Sequence, residues 1–237
     1  MKRKLRFTSF LFFTSLLCHG QKKNYISFES GAYFGNANSN LETGMVSSGF
    51  GDKESVSFLG LFTIDTEYPR KKAGKTSYRI KYGHYLNNKT AIEAGFGLSY
   101  YGTVDGYDYK DFAQSNYLTL TSTINTLYIA WVKTDSPGKA GYGIGPALSL
   151  YKLSADMNRG TTNKTKNYLL PGVMLKGFWH FIARPSWFVG MGTELTGTVP
   201  AKIDAITITT PSSVSKYKSA KANSFNENTF ITAGFKF

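Results

Sequence analysis

Beyond residue 21, hydrophobic and polar residues alternate with a period of two along most of the chain. That period marks β-strands whose two faces meet different surroundings. Eight segments carry it. In 25–34, Ile26, Phe28, Ala32 and Phe34 oppose Tyr25, Ser27, Glu29, Gly31 and Tyr33. In 77–86, Tyr78, Ile80, Tyr82 and Leu86 oppose Arg79, Lys81 and Gly83. Segment 91–102 sets Ile92, Ala94, Phe96, Leu98 and Tyr100 against Glu93, Gly95, Gly97 and Ser99. Segment 117–132 sets Leu118, Leu120 and Ile124 against Thr119, Thr121, Thr123 and Asn125, and its alternation blurs after Thr126, where a bulge is expected. The remaining four are 142–153 (Ile144, Leu148 and Leu150 on the apolar face), 168–182 (Leu169, Val173, Leu175, Trp179, Phe181), 187–199 (Trp187, Val189, Met191, Leu195, Val199) and 229–237 (Ile231, Ala233, Phe235, Phe237).

The connections alternate strictly in length. Segments 87–90, 133–140 and 183–186 are short and rich in turn residues; 35–76, 103–116, 154–167 and 200–228 are long. Membrane-spanning barrels show this order, with tight turns on one side and long loops on the other. The predicted fold is therefore all-β: an eight-stranded antiparallel up-and-down transmembrane β-barrel, with both termini at the turn end. Segments 55–68 and 202–210 also alternate, which leaves a ten-strand count as the alternative; in the eight-strand reading, 55–68 is an extension or cap within the first long loop.

Composition agrees with strands and argues against membrane helices. Mean hydropathy is −0.25, and aromatic residues make up 16% of the chain. No apolar run after residue 21 approaches the ~18 residues of a transmembrane helix. The N-terminus reads as a secretory signal over 1–20, with Lys2, Arg3, Lys4 and Arg6 preceding an apolar stretch over 7–17, and cleavage before Gln21. The barrel domain is then 21–237. Leu17 occupies the position where a lipoprotein signal needs a small residue before Cys18, so a lipid anchor is not expected. Cleavage removes the sole Cys, and with it any disulfide.

The formal charge of +13 drops with the four basic residues of the signal but stays positive. No helix-turn-helix pattern, zinc spacing or RNA-binding signature accompanies it, so no nucleic-acid partner is expected. Anionic lipid or lipopolysaccharide is the simpler match for Arg70, Lys71, Lys72, Lys75, Arg159, Lys164, Lys166, Lys202, Lys216, Lys218 and Lys221, all in the long connections. Ordinary loop solubility accounts for them equally well.

The terminal segment Phe230-Ile231-Thr232-Ala233-Gly234-Phe235-Lys236-Phe237 ends on an aromatic residue with apolar residues at alternate positions before it. With the signal and the loop order, it makes residues 24–237 resemble the small outer-membrane β-barrels of the OmpA/OmpX type. The chain is most similar to the outer-membrane β-barrel domain proteins of Bacteroidota, a group that includes PorT-like proteins. The resemblance implies an outer-membrane location. It also implies that Phe235 and Phe237 form the signal read by the barrel-assembly machinery. It carries over no catalytic residues, because the group is defined by architecture.

The inward-parity charges are Glu29, Arg79, Lys81, Glu93, Lys176, Glu194 and Lys236. An eight-stranded barrel is just wide enough for side chains to fill, so these charges are expected to pair into a lumen plug; a narrow ion path is the alternative. The only His residues past the signal, His84 and His180, lie near short turns, where an interfacial or packed role fits better than catalysis. Asp105, Asp108 and Asp111 share one loop, a weak calcium hint against the reading of solvated side chains. Two glycosylation sequons, at Asn88 and Asn163, mean little in a bacterial chain. Trp131, Trp179 and Trp187 all sit beside short turns, as an aromatic girdle would. No metal or cofactor is expected. The expected function is that of a non-enzymatic barrel whose external loops meet surface glycans, lipopolysaccharide or a partner. A small pore or transporter, and a component of a secretion apparatus, are the alternatives.

Overall fold

The computed structural model describes residues 23–237 except 59–61, 75, 109–115, 136–138, 158–161, 210–213, 219 and 223. The expected signal over 1–20 lies outside the described residues. In chain order the elements are β1 (Asn24–Gly35), α1 (Ala37–Ser48), β2 (Phe50–Phe58), β3 (Phe62–Tyr68), β4 (Arg70–Ala73), β5 (Ser77–Asn87), β6 (Thr90–Asp108), β7 (Tyr117–Thr134), β8 (Ala140–Met157), β9 (Thr162–Ala183) and β10 (Trp187–Thr198). Then follow β11 (Ala201–Ile203), β12 (Ile206–Thr209), β13 (Val214–Tyr217), β14 (Ala220–Ala222) and β15 (Phe225–Lys236).

Eight of these close a ring in the order β1-β5-β6-β7-β8-β9-β10-β15, every pair antiparallel. The seam joins the two ends of the chain, from Tyr25↔Lys236 to Gly35↔Asn226. Closure matters because a strand inside a bilayer has no water to satisfy its backbone, and a ring leaves no open edge. The eight strands contain the eight alternating segments, save Val199 and Phe237 at the ends of two of them. The ten-strand alternative is corrected: among the described residues, β2 and β3 form a hairpin that pairs with the ring at Phe50↔Asp108 and Gly51↔Tyr107, and β11 and β12 pair locally with β14 and β13.

Three further expectations change. The connections 103–116 and 154–167 are largely strand, since β6 runs to Asp108, β7 starts at Tyr117, β8 runs to Met157 and β9 starts at Thr162. The alternation break after Thr126 is not a bulge in β7, whose inward and outward positions alternate without interruption to Thr134. The bulge lies across from it on β6, between Leu98 and Tyr100. Ser99 and Tyr100 consequently both point inward and are buried, so Tyr100 leaves the outward face that its parity predicted. Finally, α1 was unforeseen. Its Asn, Ser, Thr and Gly residues are poor helix formers, but Ala37, Leu41 and Met45 share one buried face. Its C-cap, Gly49, is left-handed at φ 89° and donates its N–H to Met45 O and Val46 O.

The outward face reports the surroundings. Around the turn end and middle it carries exposed Ile26, Phe28, Ile80, Phe96, Ile129, Ile144, Leu175 and Ile231. Trp131, Trp179 and Trp187 are also outward and exposed, towards the turn end. Above Leu127 on β7 and Leu150 on β8 the outward face turns polar: Thr119, Thr121, Thr123 and Asn125, then Lys152, Ser154 and Asp156. The outer walls of β7, β8 and β9 therefore leave the apolar band and continue into water.

Candidate functional site in the barrel lumen

Inward positions on five strands place six ionisable side chains at one level. Glu29 comes from β1, Arg79 and Lys81 from β5, Glu93 from β6, Lys176 from β9 and Glu194 from β10; all are 5% exposed or less. Cross-strand register aligns them, with Glu29↔Arg79 and Glu194↔Lys176 directly opposite. Arg79 Nη1 is paired with Glu194, Lys81 Nζ with Glu29 and Lys176 Nζ with Glu93. Longer contacts join these pairs into one network: Arg79 to Glu29 at 3.9 Å and Lys81 to Glu93 at 3.8 Å. The three acids and three bases balance. That balance matters, because a desolvated charge without a partner is strongly destabilising.

Neutral groups complete it. Tyr25 donates its hydroxyl to Glu93 Oε2 at 2.6 Å and Tyr128 donates to Glu93 Oε1 at 2.7 Å. Arg79 Nη2 donates to Ser99 Oγ at 2.9 Å, so the bulged residue of β6 feeds the network. Arg79 lies 5.4 Å from the Tyr128 ring centroid and Lys81 lies 5.3 Å from that of Phe230. The sequence marked the six charges by parity. It gave no reason to single out Tyr25, Tyr128 and Ser99, which share inward positions with many other residues.

The seventh charge, Lys236, sits apart. It is 9% exposed at the turn end, with Nζ 5.9 Å from the Phe188 ring centroid. There the lumen is closed by rings: Tyr25 lies tilted against Tyr85 and edge-on to Phe188, and His180 lies between Phe178 and Phe188 at 4.9 and 4.3 Å. His84 faces outward, its Nδ1 2.8 Å from Asn24 Oδ1. The two histidines are thus on opposite sides of the barrel wall. Phe235 is outward and 65% exposed; Phe237 exchanges backbone hydrogen bonds with Asn24 at 2.8 and 3.0 Å. Asp105 and Asp108 fall on opposite faces of β6, so they do not converge on an ion, and Asp111 lies outside the described residues.

Towards the loop end the lumen is apolar. Leu118, Leu120 and Ile124 of β7, expected on the outward face, point inward and are fully buried. They meet Tyr100, Val104, Tyr151, Leu153, Met157 and Leu170, and α1 lies across the mouth with Leu41 and Met45 in this cluster. Ser48 Oγ fastens α1 by accepting the N–H of Lys218 at 2.8 Å. Tyr217 is buried against the same cluster, and burial pushes its hydroxyl pKa up. Outside, Lys166 and Asp204 pair at 2.7 Å. Their hydrogen bond and opposite charges raise the pKa of Lys166 and lower that of Asp204.

No protein-family model matches the chain, and no curated protein sequence does so significantly. Solved structures do. Ail, the attachment invasion locus protein of Yersinia pestis, aligns at 10% identity and TM-score 0.43, covering 92% of this chain and 100% of that one. The outer membrane protein OprG from Pseudomonas aeruginosa aligns at 12% and 0.44, covering 92% and 97%. The outer membrane protease OmpT from Escherichia coli aligns at 9% and 0.42, covering 92% and 97%. At such identities the likeness concerns the fold alone. In its own geometry the chain is a small closed β-barrel, apolar outside and charged within.

Proposed function

We propose that the protein is a non-enzymatic outer-membrane barrel with a sealed lumen, acting through its loop end. The observation that carries this reading is the filled interior. The cavity among Tyr25, Lys81, Glu93, Lys176, His180 and Phe188 is about 10 Å³, on the order of one water molecule. Above it lies the apolar cluster under α1, through which an ion would have to shed its hydration. Neither barrier suits a pore. The histidines do not suit catalysis, one being packed between rings and the other facing outward at the turn end.

In this reading residues 1–20 are a signal peptide, the short turns are periplasmic, and the loops and α1 face outwards, where surface glycans, lipopolysaccharide or a partner protein would meet them. Phe235 and Phe237 serve recognition by the assembly machinery. The deciding experiment is single-channel recording of the refolded barrel in planar bilayers. Silence is expected, and steady large conductance would overturn the sealed lumen and restore the pore reading.

A further inference from the structure

The outward wall formed by β9, β10, β15 and β1 holds a recess of about 580 Å³ lined by Ala32, Gly177, Trp179, Met191, Thr193 and Ile231. Higher on the same strands lies a second recess of about 450 Å³, lined by Val173, Gly197, Val199 and Phe225 among others. A Cβ added at Gly177 or Gly197 would meet nothing within 4 Å, so these two glycines leave room that the fold itself does not need.

Polar groups stand in a column above and between these recesses. Glu227 lies between Thr229 and Phe225 on β15, with Leu195 and Phe34 as its cross-strand neighbours, and it is only partly buried. Its carboxylate makes no hydrogen bond or ion pair among the described residues. Higher still, β11 and β14 continue the β10–β15 pair as a ribbon in which Lys202 and Lys221 are directly opposed. Ile203 of that ribbon is buried in the apolar cluster, so its neighbour Lys202 points away from the lumen, and Lys221 with it; both are exposed. Two like charges in direct cross-strand opposition destabilise a ribbon unless an anion sits between them. The charge of Lys202 is felt at Asp204, but that carboxylate is already held by Lys166 at 2.7 Å.

We propose that this wall binds one phosphorylated, acylated sugar lipid of the outer leaflet, with an acyl chain in the lower recess, the sugar over the upper one and a phosphate between Lys202 and Lys221. The inference rests on the outward placement of the loops proposed above. The order of the groups selects the lipid class. Between chain and phosphate the site offers an acceptor, Glu227, which calls for a hydroxyl or amide N–H at that height. An acylated amino sugar has such donors there, whereas a glycerophospholipid has only ester oxygens between its chains and its phosphate.

The test is native mass spectrometry of the refolded barrel, released from detergent with one of four probes: bis-phosphorylated lipid A, its dephosphorylated form, phosphatidylglycerol or inorganic phosphate. A single lipid A adduct is expected. Dephosphorylation, phosphatidylglycerol in its place, the double variant Lys202→Glu/Lys221→Glu and the recess-filling Gly177→Trp should each weaken it by about tenfold or more. Lys152→Glu, exposed on another strand, should leave it unchanged. Unchanged binding by the double variant or by Gly177→Trp would overturn the site. So would equal binding of phosphatidylglycerol, or displacement of the lipid by inorganic phosphate. Each variant is first checked for the heat-dependent gel shift of a folded barrel, with Lys202→Gln/Lys221→Gln and Gly177→Leu as replacements for any that fail. Because the mature chain has no cysteine, Lys202→Cys can be labelled on intact cells with an impermeant maleimide. Absence of labelling would sink the proposed orientation, whereas a labelled protein that binds no lipid A would sink only the glycolipid site.

Discussion

The barrel interior is two different interiors built on the same strands. Near the middle, β6 and β9 place Glu93 and Lys176 inside, while Phe96 and Leu175 face out. Towards the loop end, β7 places Leu118 and Leu120 inside, while Thr119 and Thr121 face out. The first arrangement is inverted relative to a water-soluble protein; the second is the ordinary one. What changes between them is the solvent beyond the wall. Where lipid covers the outside, outward residues have to be apolar, and the enclosed lumen is free to hold charges if they neutralise one another. Where water covers the outside, only an apolar interior draws stability from burial, at roughly 1.5–3 kcal/mol for a fully buried Leu or Met. The apparent loss of alternation after Thr126 is this exchange of solvents, read along a single strand.

The sharpest way to break the comparison is to unbalance the charged half. Glu93→Ala removes the acceptor of Lys176, Tyr25 and Tyr128 at once and leaves the buried Lys176 ammonium unpaired. A loss of about 3–5 kcal/mol is expected in urea titrations of the barrel in lipid vesicles. A loss below about 1 kcal/mol would mean that water reaches the network.

Leu41→Ala probes the other half. It removes a fully buried side chain from under α1 and should destabilise the loop end by about 2–4 kcal/mol. The expected readout is faster proteolysis around α1, with the heat-dependent gel shift of the barrel retained. Combined with Glu93→Ala, its effect should add to within about 0.5 kcal/mol, because the two share no contact. Strong coupling would show that the two interiors act as one.

Ser99→Ala tests the bulge at their junction. It takes the hydroxyl from Arg79 Nη2 without touching the ion pairs, and a loss of about 1–2 kcal/mol is expected. No change at all would show that the bulge matters for backbone geometry only.

The smallest effect belongs to the surface. The depressed pKa of Asp204 means that the Lys166–Asp204 link is present above the usual carboxylate range and is lost as pH falls through the lowered value. Lys166, with a raised pKa, stays charged throughout that acid window. Both groups are fully exposed, so global stability should not move. Protease cutting within 200–206 should rise at acid pH in the wild type and be independent of pH in Asp204→Asn. Equal pH dependence in both would disconnect the link from loop order.

Much of this architecture was legible along the chain, because a period of two is a local property. Eight alternating segments and the order of loop lengths were enough to define a closed barrel, and parity alone placed Glu29, Arg79, Lys81, Glu93, Lys176 and Glu194 on the inner face. Their pairing was not legible, since it depends on register between strands that are distant in sequence: Arg79 meets Glu194 across 115 residues. Nor was the inner placement of Leu118, Leu120, Ile124 and Tyr100. A sequence pattern separates two faces but does not say which solvent each one meets, and a single bulged residue at Ser99 exchanges the faces of the rest of β6. The helix over Ala37–Ser48 forms against local propensity because the open apolar mouth of the barrel stabilises its Leu41 and Met45 face, and that mouth exists only once the ring has closed.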